Sequence, residues 1–275
     1  MECHRTAESL SRAVDDSSEP RTLSRRELVK RGAAAVALTL APLDSMLQGR
    51  RAFADNPRLI DFAVRRIAPD EIKAAGYVGV VNYVSEARPG ADFAAKPITR
   101  EYADSLRAAG LHIVSNFQYG KPGGTAPSDF TRGFDGGVAD AHTASQLHSA
   151  AGGPSTAPIF FSVDDDINVE TWNSLAVNWF RGINSVLGTP RTGIYGHFQA
   201  CQWAANDGVI GNSTTAGHRW AWQTRSWSHG QRDATAVLYQ EVVNSPSDPG
   251  PLLGGINIDV DEVLAADFGQ WDLSR

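Results

Sequence analysis

Cysteine is almost absent from this sequence, which has two among 275 residues. Cys3 lies in a polar N-terminal stretch, so Cys201 is the single cysteine of the remaining chain. A lone thiol cannot form an internal disulfide, although small secreted domains commonly depend on such bonds. Cys201 lies in an alanine-rich helical segment, where a cysteine ordinarily serves as a small buried apolar residue rather than as a catalytic thiol. We therefore expect a domain that its hydrophobic core stabilises.

Several kinds of functional motif are also missing. Basic residues are fewer than acidic ones, 25 against 31, and the net charge of −6 argues against binding to nucleic acid or anionic membranes. No glycine-rich phosphate loop follows the first apolar segment, which argues against an open doubly wound sheet, and we expect no cofactor. His112, His142 and His148 do not have the spacing of metal ligands, so we expect no metal. No serine lies in a nucleophile elbow, which argues against a Ser-His-Asp hydrolase.

The first 54 residues have the pattern of an export signal. An arginine pair at residues 25–26 lies in a polar, basic stretch, and a short, mildly apolar run follows at residues 32–40. That run is too short for a membrane anchor, and no later segment resembles a transmembrane span. Small residues at 52 and 54 suit a signal peptidase. We predict a twin-arginine signal peptide at the end of residues 1–54 and a secreted or cell-wall-associated domain at residues 55–275. The alternative is an uncleaved amphipathic helix.

Short apolar segments alternate with helical patterns in residues 55–275. This alternation predicts strands at residues 59–64, 78–84, 111–119, 158–163, 191–195, 220–224, 236–242 and 256–260. Helices are predicted at residues 70–75, 99–109, 129–151, 172–187 and 198–206. Five strand–helix units are thus followed by three strands with little helix between them. We expect an α/β fold in which the strands close into a TIM-like (β/α) barrel, with an open doubly wound sheet as the alternative.

Polar side chains recur at the predicted strand ends, where a core would exclude them. The carboxyl ends of parallel barrel strands meet at one mouth, so we expect these side chains to converge there. A carbohydrate site typically combines acids that transfer protons, amides that hydrogen-bond to hydroxyl groups and aromatic rings that stack on sugar rings. The strand-end candidates are Asp61, Asn82, Tyr83, Asn116, Gln118, Tyr119, Asp164, Asp165, Asp166, Tyr195, His197, Trp222, Gln223, Tyr239, Gln240, Glu241, Asp259 and Asp261.

The run of three aspartates after the fourth strand is the most specific of these features. Alternation along a strand places Asp164 and Asp166 on one face, with Cα atoms about 6.6 Å apart. Mutual repulsion would raise the pKa of at least one carboxyl, as a general acid requires. The alternative is that Asp166 or Asn168 caps the following helix. Asp61 lies in an apolar strand, where a carboxyl is costly unless it is hydrogen-bonded or functional.

Other candidates have competing structural roles. His197 lies at a strand end and either lines the mouth or packs in the structure around it. Trp220, Trp222 and Trp227 either form a stacking surface for sugar rings or belong to the core.

Six segments in a specific order resemble a known family. They are residues 76–84, 96–110 (KPITREYADSLRAAG), 159–166 (IFFSVDDD), 193–195 (GIY), 220–223 (WAWQ) and 258–261 (IDVD). Together they resemble the glycoside-hydrolase-like domain known as domain of unknown function 1906, in particular its twin-arginine-exported actinobacterial members. The resemblance covers essentially all of residues 57–275. That domain is similar to the family-25 lysozymes, which cleave the bond from N-acetylmuramic acid to N-acetylglucosamine in peptidoglycan.

The resemblance implies roles for individual residues. Asp61 matches the strand-one aspartate of the lysozymes, Asp164 and Asp166 fall on their Asp-x-Glu pair, and Asp259 matches an aspartate of the last strand. Asp166 would be the general acid, while Asp164 and Asp61 would stabilise positive charge or orient the substrate. The expected sugar-binding residues are Tyr83, Gln118, Tyr195, Trp222 and Gln223.

Two departures from the lysozyme pattern affect the expected function. Asp166 replaces a glutamate, and a further lysozyme aspartate has no clear counterpart, although Gln223 falls near its place. Our first hypothesis is a secreted glycoside hydrolase that acts on a cell-wall polysaccharide such as peptidoglycan, without a cofactor. The alternatives are a non-catalytic glycan-binding or cell-wall regulatory protein, and an exported scaffold without a sugar site.

Overall fold

Eight strands close into a barrel in the computed structural model, which describes residues 56–272. The barrel strands are β1 (Arg58–Asp61), β2 (Gly79–Tyr83), β3 (His112–Phe117), β4 (Ile159–Ser162), β5 (Thr192–Gly196), β6 (Arg219–Thr224), β7 (Ala236–Val242) and β10 (Asp259–Val263). Two short strands, β8 (Leu252–Leu253) and β9 (Ile256–Asn257), form a separate hairpin before β10. The predicted TIM-like barrel is confirmed.

The direction of β10 differs from that of the other barrel strands. Strands β1 to β7 pair in parallel with their neighbours along the chain, whereas β10 lies antiparallel between β7 and β1. Antiparallel strands need no helical crossover, so the short segment after β7 can lead directly into the returning strand. Asp259, the first residue of β10, therefore pairs with Asp61, the last residue of β1. The expectation that every strand presents its carboxyl end to the mouth was wrong for β10.

Helices surround the first five strands. They are α1 (Pro69–Ala74), α2 (Arg100–Ala108), α3 (Gly133–Ala150), α4 (Val177–Leu187) and α5 (Phe198–Asn206); a helical turn (Val169–Thr171) and a π-helical turn (Trp172–Ala176) precede α4. Thr99 caps α2 by accepting a hydrogen bond from the backbone N–H of Tyr102. The predicted helices therefore form, with shifts of a few residues at their ends.

Two glycines allow α3 and α4 to pack with their backbones in close contact. A Cβ atom at Gly137 would lie 2.0 Å from the carbonyl oxygen of Trp179, and one at Gly182 would lie 2.1 Å from that of Phe134. Trp179 also donates its indole N–H to Asp140 at 2.8 Å, which satisfies a buried carboxylate in the same interface. This interface fixes α3 and α4 against each other on the outside of the barrel.

The core consists of two apolar clusters. One fills the barrel interior with side chains that include Leu59, Val114, Phe160 and Trp222, so the barrel encloses packed side chains rather than a pore. The other lies between the strands and the surrounding helices, and Cys201 belongs to it, as expected from its sequence context. The interior cluster forms the base on which the side chains of the barrel mouth rest.

The residues of the predicted signal peptide lie outside the described part of the chain, so the signal peptide stays a prediction. Within residues 56–272, no helix combines the length and the apolar character that a bilayer crossing demands.

Candidate active site

A cleft of about 450 Å³ opens at the mouth of the barrel. Strand ends and the loops that follow them supply its walls, as expected for a barrel of this kind. Seven of the nine residues predicted for the site line this cleft. They are Asp61, Tyr83, Gln118, Asp164, Tyr195, Trp222 and Asp259.

Asp61 lies at the floor of the cleft, where its carboxylate is almost completely buried. The hydroxyl group of Tyr83 donates a hydrogen bond to Oδ1 at 3.2 Å, and the side-chain amide of Gln240 donates to Oδ2 at 2.9 Å. Burial raises the pKa of Asp61 above its ordinary value, although these two donors oppose the shift. Asp61 is therefore a buried acid held in one orientation by its neighbours.

Gln240 connects Asp61 to Asp259. Its amide nitrogen also lies 3.3 Å from Oδ2 of Asp259, and its carbonyl oxygen accepts the hydroxyl proton of Tyr195 at 2.7 Å. Burial and the neighbouring Asp61 raise the pKa of Asp259, because two close carboxyls cannot both ionise easily. Gln240 was a strand-end candidate in the sequence, but its bridging position was not recognised there. The two carboxyls therefore titrate as a pair, in which the charge of one opposes ionisation of the other.

Asp261 lies below this pair in the barrel and is fully buried. Trp222 donates its indole N–H to Oδ1 at 2.7 Å, while Oδ2 has no hydrogen-bond partner within residues 56–272. Burial raises the pKa of Asp261 well above its ordinary value, and the charges of Asp61 and Asp259 raise it further. Burial therefore disfavours the charged form of Asp261, and its hydrogen bond holds the Trp222 ring in place.

Asp164 reaches the cleft from the loop after β4. The side-chain amide of Gln118 donates to its Oδ2 at 2.7 Å. Burial raises the pKa of Asp164, whereas Lys121, Gln118 and Lys96 favour its ionised form. The cleft thus contains carboxyls in two environments. Asp61 and Asp259 face each other, whereas Asp164 faces cations.

The structure does not bring Asp166 to the cleft. Strand β4 ends at Ser162, so Asp164 and Asp166 lie in a loop and do not alternate as strand residues would. Asp166 is exposed, and its backbone N–H donates to the side chain of Asp165. Asn168 caps the next helical turn by accepting from the backbone N–H of Thr171, which was the capping alternative considered for this segment. The assumption that the strand continues through the aspartates was therefore wrong.

Gln223 also lies outside the cleft. Its buried amide donates to the carbonyl oxygen of Gln231 at 2.8 Å and accepts from the backbone N–H of Asp233 at 2.6 Å, so it fixes the loop after β6. His197 has a similarly structural position, because it caps α5 and contacts the carbonyl oxygen of Ile167. These polar side chains at strand ends satisfy loop backbone instead of facing the mouth.

Sequence reasoning missed the cations of the cleft. Arg88, Lys96 and Lys121 all line it. The ammonium group of Lys96 lies 3.7 Å from the ring centre of Tyr83 and donates to the carbonyl oxygen of Gln118 at 2.9 Å. Burial, together with the charge of Arg88, lowers the pKa of Lys96 to about 7. These residues lie in loops, where neither hydrophobic periodicity nor the spacing of residues along the sequence indicates that they meet in the cleft.

Comparison with known proteins assigns the chain to a family. Residues 70–263 match the Rv2525c-like, glycoside hydrolase-like domain. The chain belongs to this family. Rv2525c of Mycobacterium tuberculosis, whose name gives peptidoglycan hydrolysis as its assumed activity, is 38% identical over 91% of this chain and 99% of its own length. The glycoside-hydrolase-like resemblance of the sequence is thereby confirmed.

Solved structures agree with this assignment. Two crystal structures of Rv2525c, a protein secreted by the twin-arginine pathway, align with TM-scores of 0.69 and 0.70 at 39% identity. Each alignment covers 78% of this chain and 98% of the other; one structure contains HEPES and the other L-tartrate. A lysozyme from Streptomyces coelicolor aligns over 76% of this chain and 93% of its own, at 13% identity and a TM-score of 0.44. That likeness is too distant to assign a role to any residue of the Rv2525c-like domain.

Proposed function

We propose that this protein is an exported glycoside hydrolase that cleaves a cell-wall glycan such as peptidoglycan. The single observation that carries the proposal is the carboxyl pair of Asp61 and Asp259, which Gln240 bridges, in a cleft that Asp164 also lines. Acid-catalysed cleavage of a glycosidic bond needs one protonated carboxyl and one ionised carboxylate in the same cleft. The Rv2525c name supports peptidoglycan as the substrate.

Asp259 is the proton donor in this proposal. It is only partly buried and so can reach a bound substrate, while Asp61 lies beneath it in the floor. Asp61 keeps the proton on Asp259 near neutral pH, and this proton passes to the oxygen of the leaving sugar as the glycosidic bond breaks. A water molecule then bonds to the anomeric carbon, and the proton that it releases restores Asp259. We therefore transfer to Asp259 the acid role that the resemblance gave to Asp166.

Asp164 acts as the carboxylate. Burial raises the pKa of Asp164, but Lys121 and the Gln118 amide oppose this shift and favour the ionised form, which can stabilise the positive charge that develops on the anomeric carbon. Asp61 contributes negative charge below the same region and orients Asp259 through Gln240. The two accessible carboxyls thus have different environments, and these environments set their different roles.

Aromatic side chains supply the sugar-binding surface. Tyr83, Tyr195 and Trp222 form the floor of the cleft and are nearly buried, whereas Trp227 is 36% exposed. Trp227 has a positive φ of 57°, a backbone conformation that costs a non-glycine residue of order 1 kcal/mol and that occurs often at functional sites. We assign Trp227 to stacking on a sugar ring, which its exposed face permits.

Export through the twin-arginine pathway is part of the proposal. The arginine pair and apolar run of residues 1–54 support it, as does the twin-arginine secretion of the relative Rv2525c. A folded protein with one buried cysteine needs no oxidising compartment to reach its native state.

The proposal is tested by incubating the full chain with purified peptidoglycan and measuring the release of reducing ends. We expect Asp259→Asn to lower the rate by about 10² or more, since it removes the proton donor. Asp166→Asn is the matched control, because it makes the same change at an exposed position outside the cleft, and we expect it to retain wild-type activity. Loss of activity in Asp166→Asn with full activity in Asp259→Asn would reverse this assignment.

The exposed position of Asp166 also favours a second candidate function. The resemblance to the family-25 lysozymes gives Asp166 the place of the general acid. If cleavage requires an acid at that place, the exposed Asp166 does not supply it, and the cleft would bind glycan without cleaving it. Calorimetric binding of soluble peptidoglycan fragments by wild-type protein, without any release of reducing ends, would support this non-catalytic function.

A further inference from the structure

Asp129 is a buried carboxylate that the proposed mechanism does not use. It is 1% exposed, and it begins the helical turn (Asp129–Arg132) that precedes α3. Its Oδ2 atom accepts the backbone N–H of Tyr119 at 2.8 Å, and its Oδ1 atom accepts that of Gly120 at 2.9 Å. Hydrogen bonds to an ionised acceptor are stronger than those between neutral groups, so this carboxylate fixes the backbone of the segment that follows β3.

The N–H of Tyr119 belongs to the same peptide group as the carbonyl oxygen of Gln118. That oxygen accepts from the ammonium group of Lys96 at 2.9 Å and from the hydroxyl group of Ser85 at 2.7 Å. An anion thus lies at the N–H end of the peptide dipole and a cation at its carbonyl end, which is the arrangement that electrostatics favours. Burial lowers the pKa of Lys96, and the charge of Asp129 opposes this shift. Asp129 and Lys96 therefore hold one peptide group from both of its ends.

This peptide group places two of the groups that act on Asp164. The side-chain amide of Gln118 donates to Oδ2 of Asp164 at 2.7 Å. Lys121 comes shortly after the held backbone of residues 118–120, and its charge favours the ionised form of Asp164. The orientation of the peptide group therefore decides whether the Gln118 amide reaches the carboxylate of the cleft.

The helices outside the barrel hold Asp129 in turn. Arg132 donates to Asp129 at 3.3 Å and also forms an ion pair with Asp140, which accepts the indole N–H of Trp179 at 2.8 Å. Burial raises the pKa of Asp129 to about 6, although the backbone N–H donors and Arg132 oppose this shift, so the carboxylate form prevails above that pH. A chain of hydrogen bonds thus leads from the interface of α3 and α4 to the wall of the cleft.

We propose that Asp129 is a positioning residue for Asp164, and that it acts through the Gln118–Tyr119 peptide group. This inference rests on the proposed function and deepens it, because it names a residue outside the cleft on which the carboxylate of the reaction depends. Asp129→Asn leaves one acceptor oxygen in place of two, so one of the two backbone N–H groups loses its hydrogen bond. The peptide group can then turn, and the Gln118 amide moves away from Asp164.

Titration of carboxyl carbons by NMR measures the pKa of Asp164 in the full chain, whether or not the protein cleaves a glycan. We expect Asp129→Asn to raise this pKa by about one unit, because the ionised form of Asp164 loses a hydrogen bond. Asp135→Asn is the matched control, since it makes the same change at an exposed position on α3, and it should leave the pKa of Asp164 unchanged.

The environment of Asp164 is otherwise the same in both variants. Besides Asp61 and Asp259, the titratable groups that interact electrostatically with Asp164 are Tyr83, Lys96, Lys121, Asp165 and Tyr195. Neither substitution changes any of these residues.

The pH profile of peptidoglycan cleavage gives a second readout. Cleavage requires ionised Asp164, so the acidic limb of the profile in Asp129→Asn should move about one unit towards higher pH. The basic limb reports the proton donor Asp259 and should not move. A purely structural role of Asp129 would lower the melting temperature and leave both limbs in place.

Each outcome separates this inference from the proposed function. An unchanged pKa of Asp164 in folded Asp129→Asn overturns the positioning role and leaves the hydrolase proposal standing. A raised pKa of Asp164, found together with a wild-type protein that releases no reducing ends, supports the positioning role and overturns the hydrolase proposal. Should Asp129→Asn fail to fold, as judged by thermal unfolding, Asp129→Ser takes its place, because it also keeps a single acceptor oxygen and carries the same prediction.

Discussion

The substitution Asp61→Asn tests whether Asp61 keeps the proton on Asp259. Both carboxyls lie within reach of one nitrogen atom of Gln240, at 2.9 and 3.3 Å, so their nearest oxygen atoms are at most about 6 Å apart. At a separation of about 5 Å and an effective dielectric constant of about 20, two unit charges repel by about 3 kcal/mol. Since one pKa unit corresponds to about 1.4 kcal/mol, removing the charge of Asp61 should lower the pKa of Asp259 by about two units.

Two measurements follow the pKa of Asp259 independently. Titration of carboxyl carbons by NMR reports the pKa whether or not the protein is active. The pH profile of peptidoglycan cleavage reports the same group, because activity is lost as the pH rises through the pKa of the proton donor. In Asp61→Asn, the basic limb of this profile should therefore move about two units towards lower pH.

The asparagine keeps the size of the side chain and can still accept a hydrogen bond from Tyr83 or Gln240. Asp166→Asn is again the control and should leave the titration of Asp259 unchanged. A pKa of Asp259 that stays constant or rises in Asp61→Asn would refute the idea that Asp61 keeps the proton on Asp259. It would leave the barrel and the family assignment intact.

Further predictions concern stability and binding. Asp261→Asn should raise the free energy of unfolding more at pH 8 than at pH 4, measured by urea denaturation. Because folding raises the pKa of Asp261, the native state holds this proton more tightly than the unfolded chain does, so the wild-type protein loses stability as pH rises above about 4. Gly137→Ala should lower the free energy of unfolding by about 1–3 kcal/mol, because the added Cβ atom would collide with the backbone of Trp179. Ala139→Ser, on the exposed side of the same helix, is the control and should change the free energy of unfolding little. Trp227→Gly should weaken the binding of cell-wall fragments. It should not lower the melting temperature, because glycine adopts the positive φ of this position without strain. A lower melting temperature would contradict this prediction.

The candidate site was predictable where a residue faces the mouth directly from a strand. Asp61, Tyr83 and Tyr195 end or nearly end apolar strands, and the parallel arrangement brings them together. The prediction failed for Asp166 because alternation applies only while a strand continues, and β4 ends before the aspartates. It failed for Gln223 because a buried amide can satisfy loop backbone as well as a ligand.

The sequence by itself determined the periodic part of this protein. Burial of apolar side chains on both faces of a strand, or on one stripe of a helix, leaves a pattern within ten or so neighbouring residues. The barrel class, five strand–helix units and the position of Cys201 in the core follow from such patterns. The order of short motifs then indicated the family.

Only the tertiary structure decided how charges meet across the cleft. The antiparallel direction of β10 depends on closing the barrel against β1, and this closure places Asp259 beside Asp61. The approach of Arg88 to Lys96 depends on the path of two loops. Contacts between residues far apart in the chain leave no periodic signal, because their energy comes from distance and burial rather than from sequence spacing.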